Sequence, residues 1–234
     1  MSDLNLAMVD ADGAVRDAAE SAGLDRSDFI KKSALAGGGL LVGSAMFSGI
    51  LSSAEAAIST TKRSANNDVK ILNYALTLEF LEAAFYEQAV ANSAFGSNAA
   101  LKQFAEIVAV HERKHVNFLK SALGSKAIKS PTFDFGNAVT DQATFAATAQ
   151  VLEDTGVKAY LGQVGNISVR GTLKAAATIA TVEARHAAWI RFINGSAGDL
   201  AAVKSDSLPA PKTFDVANSE KAILKAVTGT GFIK

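Results

Sequence analysis

The chain has 234 residues, a formal net charge of zero, 49% hydrophobic residues and no cysteine. This length is enough to bury one well-packed domain, and the composition excludes collagen-like, disulfide-stapled and disordered chains. Without cysteine there is no thiol catalysis, iron–sulfur cluster or cysteine-ligated zinc. The neutral charge predicts no nucleic-acid partner. Any imidazole chemistry depends on three histidines, His111, His115 and His186.

The first 56 residues are predicted to be an N-terminal export signal rather than part of the fold. A polar stretch precedes an uncharged run rich in glycine and alanine over residues 33–54. The sequence Ala-Glu-Ala at residues 54–56 is a small-x-small pattern suited to signal peptidase. Residues 26–31 resemble a twin-arginine signal in which Ser27 replaces the second arginine. We expect cleavage and a periplasmic or secreted protein. The alternative is a membrane anchor, because the run is just long enough to span a bilayer.

From residue 64 onwards, apolar residues recur every three or four positions, which predicts a mostly helical chain. Four long helices are expected, over residues 67–91, 99–123, 141–162 and 170–194. Asp141 is a good N-cap for the third helix, and the Asn-Gly pair that begins at Asn194 is typical of a helix end.

The lengths of the connections predict how these helices are arranged. The first and third helices are followed by short links, whereas residues 125–140 form a longer crossover between the second and third helices. This order predicts an all-α four-helix bundle at residues 64–195. Residues 196–234 are expected to form a C-terminal tail with one short helix near residues 219–227.

The residues that could carry chemistry form a repeat in the predicted helices. The second and fourth helices each contain Glu-x-x-His, as Glu112 with His115 and Glu183 with His186. Residues three apart lie about 60° apart around a helix, so both side chains of each motif can point at one site. The first and third helices each hold a glutamate followed seven residues later by a tyrosine, namely Glu79 with Tyr86 and Glu153 with Tyr160.

The four glutamates of this repeat lie among apolar residues, which predicts that they are buried. A buried carboxylate without a partner is costly, and four together repel one another. Two divalent cations would neutralise the four carboxylates and accept two imidazoles as well. Carboxylate and imidazole ligands suit iron or manganese. The alternative is that some of the glutamates lie on helix surfaces and both histidines are ordinary core residues.

This pattern resembles the ferritin-like di-iron carboxylate superfamily, and residues 72–86 and 182–188 are further similar to its exported, desiccation-related branch. The likeness covers about residues 68–195. The resemblance implies two iron ions, or manganese, held by six side chains: Glu79 and Glu153 as terminal ligands, Glu112 and Glu183 as bridging ligands, and His115 and His186 on one metal each. It also implies that Tyr86 and Tyr160 lie beside the metals as hydrogen-bonding or redox neighbours. Glu82, one turn after Glu79, could replace it or add a ligand.

The resemblance implies redox chemistry with O2 or H2O2, such as Fe(II) oxidation. A second hypothesis is an exported envelope or desiccation-stress protein whose metal site is structural or vestigial and supports no turnover. Manganese catalase is a third function that shares the fold. The expected partners are metal ions and O2 or H2O2, with no stable membrane partner and at most a small homo-oligomer.

A competing motif overlaps the second helix. His111, Glu112 and His115 match His-Glu-x-x-His, the zinc metalloprotease pattern, with both histidines on zinc and the glutamate as general base. Such a site needs a third protein ligand, which could be Glu153 or His186. This interpretation does not explain the second Glu-x-x-His or the two glutamate–tyrosine pairs.

Overall fold

The computed structural model describes residues 58–196 and 208–234, most of which lie in five α-helices. The helices are α1 (Ala65–Ala91), α2 (Ala99–Leu123), α3 (Gln142–Val164), α4 (Arg170–Ser196) and α5 (Glu220–Gly229). The four long helices and the short C-terminal one are confirmed, because each predicted boundary lies within two residues of the observed one. The predicted export signal lies outside the described residues. None of the described helices is long and apolar enough to cross a membrane.

The helices begin where a side chain can accept the free N–H groups of the first turn. Ser64 caps α1, Asn98 caps α2 and Ser219 caps α5, each accepting the backbone N–H three residues later. Asp141 caps α3 as predicted, accepting the Thr144 N–H at 2.8 Å. These caps fix the starts of α1, α2, α3 and α5, and therefore the level at which the side chains of these helices enter the bundle.

Contacts at the two ends of α1 show the direction of α3. Near the C-terminal end of α1, the Phe85 ring stacks on Phe145 at the start of α3, with ring centroids 5.3 Å apart. At the other end of α1, the buried Asp68 carboxylate accepts the backbone N–H groups of Ser168 and Val169, both at 2.8 Å, just after α3. The two helices therefore run antiparallel.

The chain between α2 and α3 crosses the length of the bundle. Its first part lies beside the N-terminal half of α1, where the Asn73 side chain donates to the Lys126 carbonyl at 3.0 Å and accepts the Ile128 N–H at 2.9 Å. Its later part packs Phe135 on Phe85, with centroids 5.4 Å apart. The successive pairs α1–α2 and α3–α4 pack most extensively and form antiparallel hairpins, so α2 and α3 are parallel.

The C-terminal segment covers α3 through α5, whose Ile223 and Val227 are buried. The backbone before α5 passes directly over Gly162, where an added Cβ would lie 1.8 Å from the Asn218 carbonyl oxygen. The Asn218 N–H donates to the Lys158 carbonyl at 3.1 Å, which holds the segment in this position. Gly162 is therefore required for close approach rather than for a turn.

We expect Gly162→Ala to lower the free energy of unfolding by about 1–3 kcal/mol, because the methyl group would collide with backbone that cannot move aside locally. The collision outweighs the gain of about 1 kcal/mol in helix propensity. Gly171→Ala is the matched control in α4, where nothing lies within 4 Å of an added Cβ, so its stability should be unchanged or slightly raised. Urea denaturation of the two variants provides the measurement. Equal stability would contradict the close approach.

Candidate metal centre

Each of the four long helices places at least one glutamate in the interior of the bundle. The carboxylates belong to Glu79 of α1, Glu112 of α2, Glu153 of α3 and Glu183 of α4, and all four residues have no exposed surface. His186 is also buried, and the His115 side chain is 13% exposed. Charged residues are almost never buried without a partner, so this concentration of carboxylates needs a compensating charge.

The ligand atoms form two groups that share two glutamates. One group holds Glu79, Glu112, Glu183 and His115, and the other holds Glu112, Glu153, Glu183 and His186. Within each group one ligand atom from every residue lies within 4.8 Å of all the others. The structure thus brings together all six side chains that the sequence predicted as ligands, with Glu112 and Glu183 between the two groups.

His115 directs one nitrogen at three carboxylates. Its Nδ1 lies 3.2 Å from Glu79 Oε2, 3.1 Å from Glu112 Oε2 and 3.2 Å from Glu183 Oε1. One N–H can donate one good hydrogen bond, so three carboxylate oxygens around a single nitrogen are not satisfied by it. Such convergence is typical of ligands around a common cation.

His186 shows the same convergence in the second group. Its Nδ1 lies 3.0 Å from Glu112 Oε1 and 3.3 Å from Glu153 Oε2, yet neither contact has the angle of a hydrogen bond. Within the described part of the chain, no hydrogen-bond partner is found for Glu112 Oε1, Glu153 Oε2 or His186 Nδ1, nor for either carboxylate oxygen of Glu183. Buried polar atoms are normally paired, so the donor set fits bound metal ions better than it fits internal hydrogen bonds. Oxygen and imidazole donors suit iron, manganese or zinc.

The two tyrosines of the repeat cross the bundle to opposite glutamates. The Tyr86 hydroxyl of α1 donates to Glu153 Oε1 of α3, and the Tyr160 hydroxyl of α3 donates to Glu79 Oε1 of α1. Each tyrosine therefore occupies one oxygen of a carboxylate and leaves its Oε2 in the ligand group. The exchange also shows that the two hairpins are related by an approximate two-fold axis.

Burial sets the direction of most of the pKa shifts in the centre. It raises the pKa of Glu79 to about 8, with repulsion from Glu112 adding to the effect, and it raises the pKa values of Glu153 and Glu183. Burial also acts to raise the pKa of Glu112, but the hydrogen bond with His115 and the close approach of His186 outweigh it and lower the pKa to about 2.

The two histidines take up protons to compensate these carboxylates. Burial alone would lower their pKa values, but the contacts with the surrounding glutamates raise the pKa of His115 to about 12 and that of His186 to about 11. Without metal, the protein therefore balances its buried negative charge with protons.

Glu82 is a fifth buried carboxylate beside the centre, and it belongs to neither ligand group. Burial raises its pKa, and the charge of Glu183 raises it further. Its carboxylate lies over Gly156 of α3, where an added Cβ would be 3.3 Å from Glu82 Oε1 and 3.0 Å from Glu183 Oε2. Sequence reasoning missed Gly156, although the repeat pairs Glu79 with Glu153 and hence Glu82 with Gly156.

His111 is half-buried and lies outside both groups in the part of the chain that the structure describes. Its Nδ1 contacts His186 Nε2 at 2.9 Å, on the side of that ring away from Glu112 and Glu153. A zinc protease site would need His111 and His115 on one ion, and the observed arrangement does not bring them to one point.

The comparison with known protein families agrees with this geometry. A family model described as a ferritin-like domain matches residues 67–196, which include all six ligand-group residues and both tyrosines. No curated protein matches the chain.

We predict that the metal-free protein loses stability as the pH rises from 5 to 8. An unfolded glutamate ionises near pH 4.5, whereas folded Glu79 keeps its proton to about pH 8, so the folded state loses its advantage over this interval. The slope is up to about 1.4 kcal/mol per pH unit for one group, and the raised pKa of His115 adds to it above pH 6.5.

Glu79→Gln should reduce this slope, because the amide cannot ionise. Glu106→Gln, at an exposed position of α2, is the control and should leave the slope unchanged. Urea denaturation of chelator-treated protein at several pH values gives the measurement. Stability that increases with pH over the interval would contradict the prediction.

Proposed function

We propose that this chain, which belongs to the ferritin-like domain family, binds two iron ions. The ions would serve redox chemistry with O2 or H2O2, such as Fe(II) oxidation. The family match extends over more than half of the chain. The observation that carries the proposal is the pair of ligand groups that share Glu112 and Glu183. Manganese fits the same ligands and is the alternative metal.

The six residues of the two ligand groups would supply ligands to two metal positions. Glu79 and His115 would hold one ion, Glu153 and His186 the other, and Glu112 with Glu183 both. The four carboxylates carry four negative charges when ionised, which two divalent cations balance. The protons that compensate the centre in the metal-free state would leave as the ions enter.

Iron bound in the centre would supply the electrons that reduce O2 or peroxide. The chain itself orients the ligands, because the hydroxyls of Tyr86 and Tyr160 fix one oxygen each of Glu153 and Glu79. Aromatic packing around Tyr86, with Phe104 5.8 Å and Phe85 5.1 Å away between ring centroids, excludes water from that side. Fixed ligands and a dry surrounding are the protein's contribution to such a centre.

A second candidate function is a structural metal clasp without turnover. It is favoured by the origin of the ligands, since each ion would be held by residues from at least three different helices. Ions that bind only the folded chain stabilise it by mass action. In this case the metals would raise the melting temperature strongly while the protein oxidised Fe(II) no faster than the buffer does.

We also propose that the chain is exported, on the strength of the signal-like residues 26–56. Mass spectrometry of the protein from its native cells should find an N-terminus at residue 57. A first residue upstream of the apolar run would contradict cleavage.

We predict that the protein purified under metal-replete conditions contains about two iron or manganese ions per chain, and that Glu112→Gln/Glu183→Gln contains essentially none. The double variant keeps the side-chain volumes but removes both carboxylates shared by the two groups. Elemental analysis and anaerobic Fe(II) titration followed by O2 addition measure binding and turnover.

Glu87→Gln is the control. Glu87 lies on the surface of α1, pairs with Arg113 of α2 and belongs to neither ligand group. It should bind metal as the wild type does. A single metal ion per chain, or no metal in the wild type, would contradict a dinuclear centre.

Tyr86→Phe should weaken metal binding at the Glu153 position by about 10–100-fold, because it removes the hydroxyl that orients this carboxylate. Tyr74→Phe is a matched control, since the buried Tyr74 hydroxyl has no hydrogen-bond partner among the described residues. Isothermal titration with Mn²⁺ compares the two. Equal affinities in the two variants would show that the Tyr86 hydroxyl does not position a ligand.

A further inference from the structure

The ring of His111 is joined to that of His186. Their planes lie within 17° of parallel, their centroids are 5.2 Å apart, and His111 Nδ1 is 2.9 Å from His186 Nε2. This geometry is that of a hydrogen bond between imidazoles that share nearly one plane. His111 lies on α2 immediately before Glu112, so the same turn of helix supplies a metal-group carboxylate and the partner of a metal-group histidine.

The contacts of His186 assign a different task to each of its nitrogens. Nδ1 faces Glu112 Oε1 and Glu153 Oε2, where the second ligand group converges. A neutral imidazole that uses Nδ1 as a ligand carries its proton on Nε2. That proton can then be donated to His111 Nδ1. A ligating histidine usually donates its second N–H to a carboxylate, carbonyl or water, and here an imidazole takes that place.

The repeat breaks at this position. Glu112 corresponds to Glu183, so the residue that corresponds to His111 is Val182, which has no hydrogen-bonding side chain. The approximate two-fold axis that exchanges the tyrosine contacts therefore does not reproduce the imidazole pair, and α4 offers His115 no counterpart of His111.

We propose that His111 is a positioning residue that fixes the tautomer and orientation of His186 and thereby makes the two metal positions unequal, with the His186 position binding first. The proposal rests on the two-metal centre proposed above. Its physical basis is preorganisation: His111 holds the His186 ring with Nδ1 facing the second ligand group and keeps the remaining proton on Nε2. When the Nδ1 proton leaves as the ion enters, the lone pair is already directed at the ion, whereas His115 receives no such help from α4.

The test is an anaerobic titration with Co²⁺, followed by visible absorption and calorimetry, of three proteins. The wild type should fill in two separate steps. His111→Leu keeps a side chain of similar bulk without an acceptor, and it should weaken the tighter step by about 10–100-fold so that the two steps merge. His111→Gln offers a carbonyl oxygen to His186 Nε2–H and should restore most of the separation.

A second readout addresses the tautomer directly. In Zn²⁺-loaded wild-type protein, nitrogen NMR of His186 should show a protonated Nε2 with slow proton exchange, and His111→Leu should speed that exchange. Circular dichroism and thermal unfolding of the metal-free variants establish that both are folded.

The outcomes separate this proposal from the proposed function. Two Co²⁺ bound by His111→Leu with the wild-type isotherm would overturn the positioning role and leave the two-metal centre intact. A wild-type protein that binds no Co²⁺, Mn²⁺ or Fe²⁺ would overturn the centre itself. Loss of the tight step in both His111→Leu and His111→Gln, with folding intact, would overturn the role of the hydrogen bond.

Discussion

Five carboxylates are buried together at the middle of one helical bundle. Four of them, Glu79, Glu112, Glu153 and Glu183, come from four different helices, and Glu82 adds the fifth. Each would lose several kcal/mol of hydration if it were buried as an isolated charge. The bundle can contain them only if cations or protons enter with them. Metal binding and proton binding are therefore alternatives at the same atoms.

The two helical hairpins contribute the same set of residues to the centre, with two exceptions. Each hairpin supplies a glutamate, a tyrosine and a Glu-x-x-His motif, and the tyrosines exchange partners across the axis. The two hairpins differ at two corresponding positions: Gly156 takes the place of Glu82, and Val182 takes the place of His111. In the first case the missing side chain leaves room for an added carboxylate near Glu183. In the second, one histidine gains a partner that the other lacks. Both changes make the two halves chemically different.

The sequence predicted the parts of this structure that depend on spacing along one helix. The helix bounds follow from apolar periodicity and from caps such as Asp141, and the Glu-x-x-His motifs follow from helical geometry. Contacts between helices were less accessible. The seven-residue spacing associates Tyr86 with Glu79 of its own helix, yet its hydroxyl reaches Glu153. Gly162 gave no signal because its function depends on backbone 56 residues later in the chain, at Asn218.

The long crossover is what allows the tyrosines to exchange partners. Seven residues of helix span about 10 Å, so Tyr86 lies about 10 Å along α1 from Glu79, and Tyr160 lies as far along α3 from Glu153. Because α1 and α3 are antiparallel, each tyrosine is level with the glutamate of the other helix. A short α2–α3 link would make α1 and α3 parallel, which would place tyrosine beside tyrosine and carboxylate beside carboxylate. The residues at 124–141 that cross the bundle therefore determine the hydrogen bonding of the centre without contributing a ligand to it.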